Sequence, residues 1–138
     1  MTNLSITVHG KPIAQARPRF VRRGKYVSTY NPQETEAGRF ALSVMAQLPE
    51  GFEPYRGALS LFCGFDMPIP KSATKRQKGE IEIGIRKHVK KPDLDNLCKF
   101  VKDACNGIVW QDDSQVVELI SQKRYSNQPA TYIKISEL

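Results

Sequence analysis

A chain of 138 residues with 40% hydrophobic and 25% charged residues has the make-up of one globular domain that buries a real core, which sets aside fibrous and disordered classes. Its 21 lysines and arginines outnumber 14 acids, and the net charge of +7 favours a polyanionic partner such as nucleic acid. No apolar run reaches the roughly 18 residues of a membrane span, and the first residues do not begin a basic-then-apolar export signal, so the expectation is a cytoplasmic protein without a membrane partner.

The chain opens on Leu4 to Val8, whose alternation predicts a first strand closed by Gly10 and Pro12. From Lys11 to Tyr30, cations at Arg17, Arg19, Arg22, Arg23 and Lys25 interleave with Phe20, Tyr26 and Tyr30, and Arg22-Arg23-Gly24-Lys25 reads as the tip of a basic hairpin or loop. Such a segment supplies phosphate contacts and rings that stack on unpaired bases; the plainer alternative is a solvated loop with inward-turned aromatics. Asn31-Pro32-Gln33-Glu34 starts a helix whose stripe is Ala37, Phe40, Ala41, Val44, Met45 and Leu48, a core or dimer element. Ala58 to Met67 alternates as a strand, with Gly64 marking a bulge or a close approach. Ser72 is placed to cap a short basic helix through Lys78. The stretch 71–91, with Lys71, Lys75, Arg76, Lys90 and Lys91 among its cations, is the densest basic segment and a candidate DNA contact.

An Asp93-Leu-Asp95-Asn96 run then stands at the mouth of an amphipathic helix. Leu94, Leu97, Cys98, Val101, Ala104, Cys105 and Ile108 share its core face, with Gly107 as the stop. Asp93 and Asp95 converge only if Asp93 lies before the helix, because residues two apart on a helix point about 200° apart. After Trp110, an acidic turn at Asp112-Asp113 leads to Val116 to Tyr125 and a last strand from Thr131 to Ile135, expected to form an antiparallel hairpin. The order predicts an α+β fold, one domain over 1–138, with a mixed sheet and two main helices. Cys63, Cys98 and Cys105 are odd in number, lack C-x-x-C spacing and sit in apolar patterns, so they read as structural thiols. Neither His9 nor His88 has the company a zinc site needs.

Three acids from two segments can form an oxygen-rich nest for Mg²⁺, a hard cation usually held by one or two carboxylates together with water and substrate phosphate oxygens. Lys99, one turn from Asp95, is placed to pair with it or to stabilise charge on a phosphate in transit. Each piece also has a plain structural reading: Asp93 as a cap, Asp95 and Lys99 as an ion pair, Asp112-Asp113 as a turn. Their joint occurrence on a basic chain favours the chemical reading.

Lys91-Pro-Asp-Leu-Asp-Asn-Leu-Cys-Lys99, then Asp103-Ala-Cys-Asn-Gly107, then Trp110-Gln-Asp-Asp-Ser-Gln-Val116 with Lys123, resembles the RusA family of Holliday junction resolvases. The D-x-D-N-x-x-K pattern followed by D-D-x-Q-V is specific in combination, and Gly10-Lys-Pro, Arg17-Pro-Arg and Tyr26 through Pro32 extend the likeness at lower specificity. The resemblance implies metal-binding aspartates at Asp93, Asp95 and Asp113 with Asp112 as a neighbour, and an essential lysine at Lys99. It also implies a homodimer that cuts four-way DNA junctions by paired symmetric nicks, with Mg²⁺, or Mn²⁺ in its place, and no small-molecule cofactor. The competing readings are a DNA-binding protein whose acids are structural and, more remotely, a D-x-D nucleotide-sugar transferase.

Overall fold

The computed structural model describes residues 3–16, 19–23, 26–30 and 34–138, and for 19–23, 26–30 and 34 the description is of the backbone. Its elements in chain order are β1 (Asn3–His9), β2 (Arg19–Arg23), β3 (Tyr26–Tyr30), α1 (Glu34–Ala46), β4 (Leu59–Pro68), α2 (Lys75–Glu82), α3 (Leu94–Cys105), a single 3-10 turn (Asp113–Gln115), β5 (Val116–Ser126) and β6 (Ala130–Glu137). The predicted α+β class with a mixed sheet is the one found. The basic hairpin is present as β2 paired antiparallel to β3; Arg19, Arg22 and Arg23 stand on β2, whereas Arg17, Lys25 and the predicted helix start at 31–33 lie outside the described residues.

β1, β6, β4 and β5 form one sheet in that order. Register stacks Leu4 and Ile6 of β1 beside Ile135 and Ile133 of β6, and these beside Leu61 and Cys63 of β4. All six are buried, because their face meets Phe40 and Val44 of α1 and Leu97, Phe100 and Val101 of α3. Phe40 and Phe100 join the two helices edge to face at 5.4 Å. The opposite face is solvated, with Lys134 over the Phe62 ring at 5.8 Å and Arg124 shielding the buried Asp66 carboxylate at 2.8 Å.

Three expectations are corrected, and one left open between two readings is decided. β5 and β6 do not pair with each other: β4 lies between them, parallel to β5 and antiparallel to β6. β4 is buried nearly end to end and takes a neighbour on each side, whereas β5 exposes Val117 (64%), Leu119 (44%) and Ile120 (56%) and takes the edge. Four Cα steps from Ser126 to Ala130 are long enough to cross one strand, a distance of about 10 Å. α2 is capped by Thr74, not Ser72, through a reciprocal box with Gln77, and that extra start energy carries it past Gly79 to Glu82. Of the two readings of Gly64, the close approach is the one found, since a Cβ there would meet the Phe62 ring at 3.1 Å, while the irregularity in β4 falls between Leu59 and Ser60. Met45, placed in the apolar stripe of α1, is 44% exposed.

Candidate active site

α3 owes its place to both ends. Asp93 stands before it with extended backbone (φ −70°, ψ 145°), as the spacing of the acids required, after a cis Lys91–Pro92 peptide. At the far end Gly107 adopts φ 81°, a conformation that favours glycine, and its N–H donates to the Trp110 carbonyl at 2.7 Å. Leu97, Cys98, Phe100, Val101, Ala104 and Cys105 are buried, which turns Asp95, Lys99 and Asp103 outward. These three, with Asn96, Lys102, Asp113 and the β5 residues Leu119 and Ser121, line an open groove of about 740 Å³. A second cavity, about 670 Å³ between the end of β1 and α1, has Glu36 as the one acid among the described residues of its lining, which offer no carboxylate pair.

Asp93 occupies the cap position, yet its side chain makes no cap hydrogen bond; the main-chain oxygen alone accepts, from Leu97 N at 3.2 Å. Among the described residues the ion pairs are Arg86–Glu80 and Arg124–Asp66, both at 2.8 Å, so Asp95 and Lys99 are not joined to each other. Among the described residues, neither carboxylate nor the Lys99 ammonium has an ion-pair partner within 4.0 Å.

The second acidic pair divides. The Asp112 carboxylate accepts from the Ser114 N–H at 2.9 Å and from the Ser114 hydroxyl, and Gln115 closes a capping box by accepting from Asp112 N at 2.8 Å. Those two bonds, the hydroxyl first, hold the Asp112 carboxyl below its ordinary range. Gln115 also donates to the Tyr55 and Gly57 carbonyls at 2.8 and 3.0 Å, fastening the turn to the segment that leads into β4. Asp113 is the one of the pair that lines the groove, and its Oδ1 accepts from Trp110 Nε1 at 2.8 Å. Trp110 is wholly buried, so its indole N–H needs an acceptor and finds this one. The sequence motif contains Trp110 and Gln115 but gave neither a role; the signal available was their spacing of three from an aspartate.

Asp95 stands in the first turn of α3, while Asp113 comes from the 3-10 turn after it and lines the same groove. Lys99 and Lys102 share that lining. Among the described residues no three His, Cys, Asp or Glu side chains gather as a ready metal cage. The donor chemistry nonetheless suits a hard cation at the α3 mouth, where one or two carboxylates suffice beside water and phosphate oxygens.

Of the candidate DNA contacts, Lys71, Lys75 and Arg76 are exposed around the start of α2, a helix that buries none of its side chains, and Lys90 and Lys91 are exposed just before Asp93. The Lys90 and Pro92 carbonyls both accept from Lys123 Nζ of β5, at 2.7 and 2.9 Å. His88 packs edge-on against Tyr125 at 5.0 Å, and burial, with Lys123 second, lowers its pKa. The three cysteines are free and buried, as expected; Cys63 is pushed up by its hydrogen bond with Cys98 and by burial, and burial pushes Cys105 up to about 12.

The family described as Endodeoxyribonuclease RusA matches residues 9–136. The chain belongs to the RusA endodeoxyribonuclease family. The match takes in every residue of the groove, so the RusA-family assignment and the carboxylate geometry concern the same part of the molecule. The chain is also 36% identical over 141 residues to the uncharacterized protein YqaN of Bacillus subtilis (strain 168), an alignment that covers all of this chain and 99% of that one. No helix of this RusA-family chain, among the described residues, is long and apolar enough to cross a membrane.

Proposed function

We propose that this RusA-family chain is a cytoplasmic, Mg²⁺-dependent endonuclease, with Mn²⁺ able to replace Mg²⁺, that resolves four-way DNA junctions by paired symmetric nicks as a homodimer. The observation that carries the reading is the groove: Asp95, Asp103 and Lys99 on one helix face, without an ion-pair partner among the described residues, in a chain of net charge +7. Asp93 and Asp95 would hold the cation at the mouth of α3, and Lys99 would place its ammonium on a phosphate oxygen. Asp113, aimed by Trp110, completes the acidic set; Asp112 serves the turn. When bound, Mg²⁺ supplies Lewis-acid stabilisation of the phosphate and a more acidic water for hydrolysis of one phosphodiester per site. The cations Arg17, Arg19, Arg22, Arg23, Lys25, Lys71, Lys75, Arg76, Lys90 and Lys91 would draw in the DNA backbone that bare carboxylates repel.

Support for the homodimer comes from β5, a long edge strand with exposed apolar side chains and one unpaired row of backbone groups. Antiparallel pairing of β5 with a second copy about a two-fold axis would cover it. Two equivalent sites then suit a substrate with two symmetry-related strands.

The test is incubation of the purified protein with an end-labelled four-way junction and a matched linear duplex, each in Mg²⁺ or EDTA, on denaturing and native gels. Paired nicks in the junction alone, with Mg²⁺ alone, are expected. A junction that is shifted but uncut under every condition would overturn the reading in favour of a binding protein.

A further inference from the structure

A carboxylate that makes no cap bond has nothing in its own helix to orient it, so the place of Asp93 depends on how the chain before it is held. That chain is docked on the last part of β5. Lys123 and Tyr125 project from the same side of the strand as Leu119 and Ser121, the groove side. Tyr125 meets the His88 ring, and Lys123 Nζ receives two main-chain carbonyls, those of Lys90 and Pro92. Pro92 immediately precedes Asp93. Two carbonyls turned onto one ammonium make charge-assisted bonds, the stronger kind, and they occupy two of its three protons. Lys123 is partly buried, unlike the exposed Lys90 and Lys91 beside it, and it makes no ion pair within 4.0 Å among the described residues.

We propose that Lys123 is a positioning residue: its ammonium pins the Pro92 carbonyl to β5 and so fixes where Asp93 presents its carboxylate, instead of contacting DNA as a lysine in a basic protein is expected to. The inference rests on the reading of Asp93 as a metal-binding carboxylate. The variants are Lys123→Met, which keeps the stem and removes the donors, and Lys123→Arg, which keeps charge and donors. Four readouts are taken on the full chain: the Mg²⁺ midpoint for junction nicking, junction affinity in EDTA with its salt dependence, the thermal midpoint, and amide exchange over 88–93.

Lys123→Met is expected to raise the Mg²⁺ midpoint by about 10-fold or more, as loss of an outer-shell support does, with faster exchange over 88–93 and unchanged EDTA affinity. Lys123→Arg restores part of the midpoint. Weaker EDTA binding with a salt slope reduced by about one, at an unchanged Mg²⁺ midpoint, would make Lys123 a phosphate contact and overturn the proposal. A lowered thermal midpoint with an unchanged Mg²⁺ midpoint overturns it too, leaving a merely structural lysine. Wild-type protein that never nicks a junction is the failure of the nuclease reading instead; exchange over 88–93 then decides, and exchange unaltered in Lys123→Met sinks the positioning role.

Discussion

Asp93 and Asp112 are the same residue in the same local position, each the cap before a helical turn with extended backbone (ψ 145° and 144°), and their side chains meet opposite fates. Asp112 is followed by Ser114 and Gln115, which supply a hydroxyl, an amide N–H and a returning side chain, so its carboxylate closes a box on itself. Asp93 is followed by Asp95 and Asn96. The first adds a like charge and the second is one methylene shorter than the Gln of a capping box, and no box forms. What separates a structural acid from an available one is therefore the two or three residues after it, not the position it holds.

The sharpest way to break that contrast is at the available end. Asp95→Asn should slow junction nicking on the order of 10³-fold, the several kcal/mol that a metal-held transition state represents, with EDTA junction binding kept or tightened. Single-turnover nicking at the wild-type rate would place the site elsewhere. Lys99→Ala comes next, with a loss of about 10²-fold in rate and little in affinity, the usual effect of removing one charge-stabilising donor. Trp110→Phe keeps an aromatic ring in the core but takes the N–H from Asp113; the expected effect is about 10-fold on the Mg²⁺ midpoint, read from nicking against metal concentration.

The smallest effect on activity belongs to Asp112→Ala, which should leave nicking within about twofold of wild type while lowering the thermal midpoint, since only a helix cap is lost. A deficit as large as that expected of Asp95→Asn would erase the distinction between the occupied acid and the available ones. The pH dependence has a definite sign. The folded pKa of Asp112 is depressed, so its contribution is present above the ordinary carboxylate pKa of about 4 and fades as pH falls through the lower folded value. Thermal unfolding of Asp112→Ala should accordingly differ from wild type at neutral pH and converge with it in strong acid.

Local pattern alone determined much of this molecule. The alternation of β1 and β4, the apolar face of α3, its stop at Gly107 and the location of Asp93 ahead of it all follow from side-chain period and cap chemistry, which act within a few residues. The acidic motifs and their family likeness were legible for the same reason. Only the tertiary structure decided that β4 is inserted between β5 and β6, because strand adjacency is settled by which face must be buried between segments far apart in the chain. Only it showed that Trp110 aims Asp113, that Asp112 is occupied by its own turn, and that Lys123 grips the chain ahead of Asp93 from a strand 31 residues away. Each of these is a hydrogen bond whose partner a periodic pattern does not name, since burial fixes the need for a partner and the fold supplies which one it is.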